Sequence, residues 1–273
     1  MSDAQSVRRL TVPDLTARKG REKIVVLTAY TTPIAQLLDP HVDILLVGDT
    51  VGMVLHGMPT TVGVTLEMMC LHGRAVMRGS SHALVVVDMP FGTYEGSPKD
   101  AHQSAVRLMQ ETGCQAVKVE SARGIADTIR FLTERGIPVM GHVGLRPQAV
   151  NVDGGFKAKG RFMDEREKVL EEAKAAEEAG AFAIVVEGVD SELADEITRQ
   201  VGVPTIGIGA SPNCDGQVLV TDDMLGLFDW TPRFVRRYAN LRDVISRAAE
   251  TYANDVRSGE FPNSAEVYKL KIV

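Results

Sequence analysis

The chain has 273 residues, of which 44% are hydrophobic and 24% are charged, and its formal net charge is -6. These values are ordinary for a globular protein, and an acidic chain without a basic block excludes binding to nucleic acid through a basic surface. The cysteines, Cys70, Cys114 and Cys214, form no CxxC pair, so we expect reduced thiols rather than a disulfide scaffold.

The N-terminal segment lacks the apolar stretch of a signal peptide. No apolar run approaches the ~20 residues that are needed to cross a bilayer. We therefore expect a soluble, cytoplasmic protein with no membrane partner.

Eight short apolar runs follow one another along the chain, and each is nearly continuous rather than alternating. This pattern is typical of strands that are buried on both faces of a parallel sheet. The predicted strands are Ile24–Leu27, Ile44–Val47, Ala83–Val87, Ala116–Val119, Ile137–Met140, Phe182–Val186, Pro204–Ile208 and Gln217–Val220.

Helical patterns lie between many of these runs, and most of them stop at a glycine, which takes the left-handed conformation of a helix end at low cost. The predicted helices are Pro98–Thr112, Ser121–Arg135, Asp164–Ala179 and Ser191–Gln200.

About eight strand–helix units predict a single-domain (β/α)₈ TIM barrel with additional terminal helices. An open doubly wound sheet is the alternative, but no GxGxxG motif follows the first strand. Residues 1–20 and 232–273 are interpreted as terminal extensions that pack on the barrel or on a neighbouring subunit.

Ionisable side chains follow or close five of the predicted strands, at the end where active sites of this barrel are built. They are Asp49, Asp88, Lys118, Glu120, His142 and Glu187. Each has a structural alternative. The aspartates could belong to a helix cap and a turn, Lys118 and Glu120 could form a buried ion pair, His142 could be a core histidine, and Glu187 could pair with a basic neighbour.

The three carboxylates Asp49, Asp88 and Glu120 are hard oxygen ligands, which suit Mg²⁺ better than structural zinc. Mg²⁺ keeps several waters, so some of these carboxylates could bind it only through water. A 2-oxo acid could chelate the ion, which would stabilise the enolate formed when C3 loses a proton.

The remaining polar residues of the set fit the same substrate. Lys118 would neutralise its negative charge, and His142 and the hydroxyl of Thr50 could hydrogen-bond its carboxylate. Glu187 is left without a metal to hold and is the candidate acid/base. A non-catalytic binding or scaffold barrel is the other alternative. Such a protein would be expected to lack at least one of the six ionisable residues, and none is missing here.

From about Thr11 to Tyr268, the sequence resembles the ketopantoate hydroxymethyltransferase family, and its most specific segments read GHVGLRPQ and IGIGAS…CDGQ. The matching segments are Lys23–Tyr30, Leu46–Met53, Val87–Phe91, Ala116–Glu120, Pro138–Val152, Gly154–Arg161 and Pro204–Val220.

The resemblance implies transfer of a hydroxymethyl group from 5,10-methylenetetrahydrofolate to 3-methyl-2-oxobutanoate, which gives 2-dehydropantoate on the route to pantothenate and coenzyme A. It implies a homodecamer of two stacked pentamers. It places magnesium ligands at Asp49, Asp88 and Glu120, and the acid/base at Glu187. The implied substrate contacts are Asp49, Thr50, Asp88, Lys118 and His142, and Thr50 keeps the hydroxyl of the serine found in some members.

The rival enzyme class is the group of isocitrate lyase and phosphoenolpyruvate mutase, which resembles this chain in its barrel, metal carboxylates and enolate chemistry. The lyases carry a KKCGH-type loop, which is missing here. After the fifth predicted strand, the sequence reads NVDGGFKAKGR instead.

Overall fold

The computed structural model describes residues 8–122 and 124–268. Eight parallel strands form a closed barrel in which each strand pairs with the next along the chain and the last pairs with the first. The barrel is confirmed and the open sheet is wrong, since the ladder closes. The strands are β1 (Ile24–Thr28), β2 (Ile44–Val47), β3 (Leu84–Asp88), β4 (Ala116–Glu120), β5 (Val139–Gly144), β6 (Ala183–Glu187), β7 (Thr205–Ile208) and β8 (Gly216–Leu219).

Helices connect most of the strands. In the described residues they are α1 (Val12–Thr16), α2 (Thr32–Leu38), α3 (Val51–Val54), α4 (Leu66–Gly79), α5 (Pro98–Thr112), α6 (Ile125–Thr133), α7 (Val150–Asp153), α8 (Met163–Glu178), α9 (Ser191–Gln200), α10 (Thr221–Met224) and α11 (Leu241–Ser258). The predicted bounds of α5 hold because the Ser97 side chain caps its first turn and Gly113, at φ 79°, ends it.

Most predicted elements agree with the structure to within one residue at each end, and two are displaced further. The fifth strand is Val139–Gly144 rather than Ile137–Met140, because Pro138 has no N–H for the ladder and pairing with β6 continues to Gly144. Helix α6 begins at Ile125 rather than Ser121, and Arg123 lies outside the described residues.

Alternate strand residues face the barrel interior, because side chains on a strand alternate between its two faces. Leu84 and Val86 of β3 and Ala116 of β4 belong to one buried apolar cluster with Ala183 and Val185 of β6. The next positions in the same alternation are occupied by charged residues at the carboxyl ends of these strands, namely Asp88, Lys118, Glu120 and Glu187.

The chain divides into two compact units, up to Val220 and from Thr221 onward. The first unit holds α1, whose Leu15 is buried in the interior cluster, and the barrel. The second unit holds α10 and α11. Parts of the predicted extensions, 1–7 and 269–273, lie outside the described residues, and none of the described helices is long and apolar enough to span a membrane.

Candidate active site

A cleft of about 440 Å³, measured with the open solvent at its mouth, lies at the carboxyl end of the barrel. The structure brings together there every site residue predicted from the sequence. The polar lining residues are Thr28, Asp49, Thr50, Asp88, Lys118, Glu120, His142 and Glu187. Apolar side chains, which include Leu46, Val185, Ile208 and Val218, complete the lining, so the cleft has a charged and an apolar part.

Strand register sets the charged side chains beside one another. Asp88 of β3 is aligned with Lys118 of β4, and Glu120 of β4 is aligned with His142 of β5. Gly144 ends β5 with φ 96°, and a Cβ there would clash with the carbonyl of Glu187. Only glycine therefore lets the ends of β5 and β6 approach this closely and place Glu187 at the cleft.

Lys118 forms a buried ion pair with Asp88, and its Nζ lies 3.0 Å from Asp88 Oδ1. Burial alone would lower the pKa of Lys118, but the charges of Asp88, Asp49 and Glu120 outweigh it and raise the pKa above its usual value. The lysine is therefore a fixed positive charge. Its partner is Asp88 rather than Glu120, the alternative considered from the sequence.

Negative charge is crowded in the same place. Burial, followed by the charge of Asp88, raises the pKa of Asp49 to about 7, although Lys118 and a hydrogen bond from Gln148 act in the opposite direction. Burial and the charge of Asp49 likewise raise the pKa of Glu120 well above its usual range. Three buried carboxylates thus face one lysine, an imbalance that a divalent cation would relieve.

The donor set fits Mg²⁺ in one specific way. Among the described residues, no three His, Cys, Asp or Glu side chains converge closely enough to hold one ion directly. Asp49, Asp88 and Glu120 can therefore serve together only if at least one of them acts through water. Mg²⁺ is the cation for which this is the common arrangement, because it retains several of its waters and takes one or two carboxylates.

His142 lies beside Glu187, and its Nε2 is 3.2 Å from Glu187 Oε2. Burial, and then the positive charge of Lys118, lowers the pKa of His142, so the imidazole is neutral near pH 7. Within the described part of the protein neither ring nitrogen makes a well-aligned hydrogen bond, and Glu187 is a close polar neighbour of Nε2. The His142 side chain can therefore donate or accept toward a ligand, and Glu187, 18% exposed, stands nearer the solvent.

Comparison with known proteins assigns the family. The family model described as ketopantoate hydroxymethyltransferase matches residues 9–264. The chain belongs to the ketopantoate hydroxymethyltransferase family. It is 67% identical to the 3-methyl-2-oxobutanoate hydroxymethyltransferase of Phenylobacterium zucineum, with 98% of this chain and 97% of the relative covered. It is 66% identical to the protein of the same name from Caulobacter vibrioides, again over 98% and 97%.

The chain is also similar in fold to solved structures outside this family. A 2,3-dimethylmalate lyase, a member of the phosphoenolpyruvate mutase/isocitrate lyase superfamily, superposes with a TM-score of 0.59 over 92% of this chain and 89% of that one. The two sequences are 16% identical. This likeness shows a shared barrel only, whereas the ketopantoate hydroxymethyltransferase assignment rests on sequence along nearly the whole chain.

Three residues that contact the predicted site were not singled out from the sequence. Tyr30 follows β1 after two residues, and its hydroxyl is 2.7 Å from Thr50 Oγ1. Tyr94 and Gln148, both buried, hydrogen-bond to Glu120 and Asp49 from two loops. Strand periodicity carries no signal for loop residues. The family segments were the available indication, because Gln148 lies in GHVGLRPQ and Tyr30 ends the segment Lys23–Tyr30.

Proposed function

We propose that this protein transfers a hydroxymethyl group from 5,10-methylenetetrahydrofolate to 3-methyl-2-oxobutanoate, giving 2-dehydropantoate for pantothenate and coenzyme A synthesis, with Mg²⁺ as cofactor. The observation that carries the proposal is the cleft itself, in which three buried carboxylates, a charged lysine and a neutral histidine meet. The shared name of relatives 66–67% identical to the chain supports the same reaction.

The oxo acid needs a site for its carboxylate, its adjacent keto group and its branched hydrocarbon end. Asp49, Asp88 and Glu120 would hold Mg²⁺, at least one of them through water, and the ion would supply charge stabilisation when C3 of the oxo acid loses a proton. Lys118, buried and positively charged, offsets the charge of the bound acid. His142 and the Thr50 hydroxyl hydrogen-bond its carboxylate, while Asp49 and Asp88 line the same cleft.

Glu187 is the proposed acid/base. It closes β6 at the cleft, and its carboxylate contacts the neutral imidazole of His142 rather than a full positive charge. A carboxylate without a charged partner can take the proton from C3 of the oxo acid and later give up a proton. The branched methyl groups would lie against the apolar lining, near Val185 and Ile208.

We also propose cytoplasmic location and assembly into a homodecamer. The support for assembly is α11, which has no buried residue although Val244, Ile245 and Tyr252 are apolar or aromatic and more than half exposed. Single-domain organisation of 1–273, with its terminal extensions, stays a prediction.

The test is an assay of 2-dehydropantoate formation from 3-methyl-2-oxobutanoate and methylenetetrahydrofolate, with and without Mg²⁺. We expect product only when both the folate and the cation are present. A lyase or mutase would instead convert an oxo acid without consuming the folate. Product formation at the same rate in a chelating buffer would remove Mg²⁺ from the proposal, and no product under any condition would overturn the reaction.

A further inference from the structure

Gln148 makes contacts with two of the carboxylates at the cleft. It lies in the short 3₁₀ helix Pro147–Ala149 that follows β5, and it is 6% exposed. Its Nε2 donates to Asp49 Oδ2 at 2.8 Å and to the carbonyl of Met89 at 3.0 Å, and its backbone N–H donates to Glu120 Oε1 at 3.1 Å. One residue thus connects the ends of β2, β3 and β4.

Tyr94 holds the other side of the Gln148 amide. Its hydroxyl donates to Gln148 Oε1 at 2.6 Å and accepts the backbone N–H of Glu120 at 3.2 Å. The tyrosine is 2% exposed, and burial, followed by the charges of Glu120 and Glu95, raises its pKa well above its usual value. The phenol therefore stays protonated and keeps its donor.

The chemistry of the partners sets the orientation of the amide. The Asp49 carboxylate and the Met89 carbonyl are acceptors, so they require the NH₂ group of Gln148, while the Tyr94 hydroxyl requires the oxygen. A flipped amide would place its oxygen against two acceptors. Both amide protons and the amide oxygen are therefore used, which is how a buried polar group becomes rigid.

We propose that Gln148 and Tyr94 are a positioning pair, which holds Asp49 and Glu120 in the arrangement that binds the divalent cation. Gln148 engages one oxygen of each carboxylate, Oδ2 of Asp49 and Oε1 of Glu120, and leaves the second oxygen of each for the ion or its waters. This inference rests on the proposed function, because it takes these two residues as magnesium carboxylates.

The two carboxylates need such a partner. Asp49 follows β2 and Glu120 closes β4, both are buried, and the charge of Asp49 disfavours a second negative charge on Glu120 by raising its pKa. Without a fixed donor between them, repulsion would turn the side chains apart before a cation arrives. Groups that orient metal ligands from behind typically change metal affinity or activity 10–100-fold when they are removed.

The test compares Mg²⁺ affinity across four proteins. Gln148→Met keeps the length of the side chain and removes its amide, and Tyr94→Phe removes one hydroxyl. Gln115→Met is the matched control, since Gln115 precedes β4 at the opposite end of the barrel, and its side chain, among the described residues, hydrogen-bonds the backbone of Val85 and Gly113 and contacts the sulfur of Met77. Titration calorimetry with Mg²⁺ alone gives the affinity, and thermal unfolding in a chelator gives the metal-free stability.

We expect Gln148→Met to weaken Mg²⁺ binding about 10–100-fold, and Tyr94→Phe to weaken it by a smaller factor. Gln115→Met should bind Mg²⁺ as the wild type does. Turnover of Gln148→Met should rise with added Mg²⁺ toward the wild-type level, a rescue that a purely structural defect would not show. If Gln148→Met does not fold, Tyr94→Phe carries the test.

Variants that lose stability but bind Mg²⁺ as tightly as the wild type would overturn the positioning pair and leave the proposed function standing. A wild-type protein that binds Mg²⁺ with the expected variant effects, yet makes no 2-dehydropantoate, would overturn the function and leave the positioning pair standing. A wild type that binds no divalent cation would overturn the pair and the metal assignment together.

Discussion

Glu187→Gln separates a catalytic role of this residue from a structural one. The substitution keeps the size and shape of the side chain but removes its ability to exchange a proton. Glu187 lies at the end of β6, partly exposed, with Oε2 3.2 Å from His142 Nε2. If Glu187 moves the C3 proton, turnover must fall, while binding of Mg²⁺ and of the oxo acid should change little.

The structure gives the expected size of each effect. Loss of a general acid/base lowers the rate about 10²–10⁴-fold, which is roughly 2.7–5.5 kcal/mol in the barrier. Breaking a buried ion pair would cost about 3–5 kcal/mol in the free energy of unfolding. His142 is neutral, however, so Glu187 loses only a contact with an uncharged ring, and the loss should not exceed the about 0.5–1.5 kcal/mol of a neutral hydrogen bond.

Single-turnover kinetics measures the rate, calorimetry measures binding of both ligands, and thermal unfolding measures stability. Glu111→Gln is the matched control, because it makes the same chemical change on α5, where Glu111 pairs with Arg74 and Arg107 away from the cleft. The control should retain the wild-type rate. A Glu187→Gln protein that binds both ligands normally and turns over within a few-fold of wild type would remove Glu187 from the mechanism.

Three further outcomes test the metal site, the enolate and a buried carboxylate that does not line the cleft. Asp88→Asn should lose Mg²⁺-dependent turnover, and near-wild-type activity in a chelating buffer would contradict the metal assignment. The C3 proton of 3-methyl-2-oxobutanoate should exchange in deuterated solvent, seen by proton NMR as loss of its signal; normal turnover without exchange, with or without folate, would exclude the enolate. Asp39→Asn should lower the free energy of unfolding by about 1–3 kcal/mol at pH 7, because Asp39 accepts the N–H groups of Ser81, His82 and Ala83. Burial opposes the charge of Asp39, but these bonds outweigh it and lower its pKa, so the difference between the two proteins should begin to shrink below about pH 4 and disappear only once the pH is below the lowered pKa of the folded state.

The charged lining of the cleft could be predicted because it follows from strand periodicity. Leu84, Val86 and Asp88 are alternate residues of one strand and share one face. Two apolar residues followed by a charged one on that face therefore predict an apolar barrel interior with a polar site at the carboxyl end. The strands could be recognised by composition, since they are continuous and rich in β-branched residues. Closure into a barrel was inferred from the count of about eight strand–helix units, although several connecting helices were not predicted individually.

One helix was not predicted and one strand was misplaced, each for a physical reason. Helix α4 is absent from the predicted helices, and a glycine, Gly73, interrupts its pattern; the structure explains this residue, because a Cβ there would clash with Thr112 of α5. The fifth strand was misplaced because His142 and two glycines are poor strand formers in isolation. Pairing with β4 on one side and β6 on the other overrides that local preference.

The loops supply what the strands cannot. The strand ends bring Asp88, Lys118 and Glu120 to the same cleft, but three buried carboxylates and one lysine leave negative charge that no strand residue of the cleft lining offsets. Gln148 donates to Asp49 and Glu120, and Tyr94 donates to the Gln148 amide oxygen; the two residues are distant from each other in sequence and meet in the closed barrel. The segment GHVGLRPQ therefore serves the site twice, with His142 inside the strand and Gln148 beyond its end. Because the Tyr94–Gln148 contact depends on closure of the barrel, we expect substitutions in the segments that carry these two residues to impair the site as much as substitutions of the carboxylates themselves.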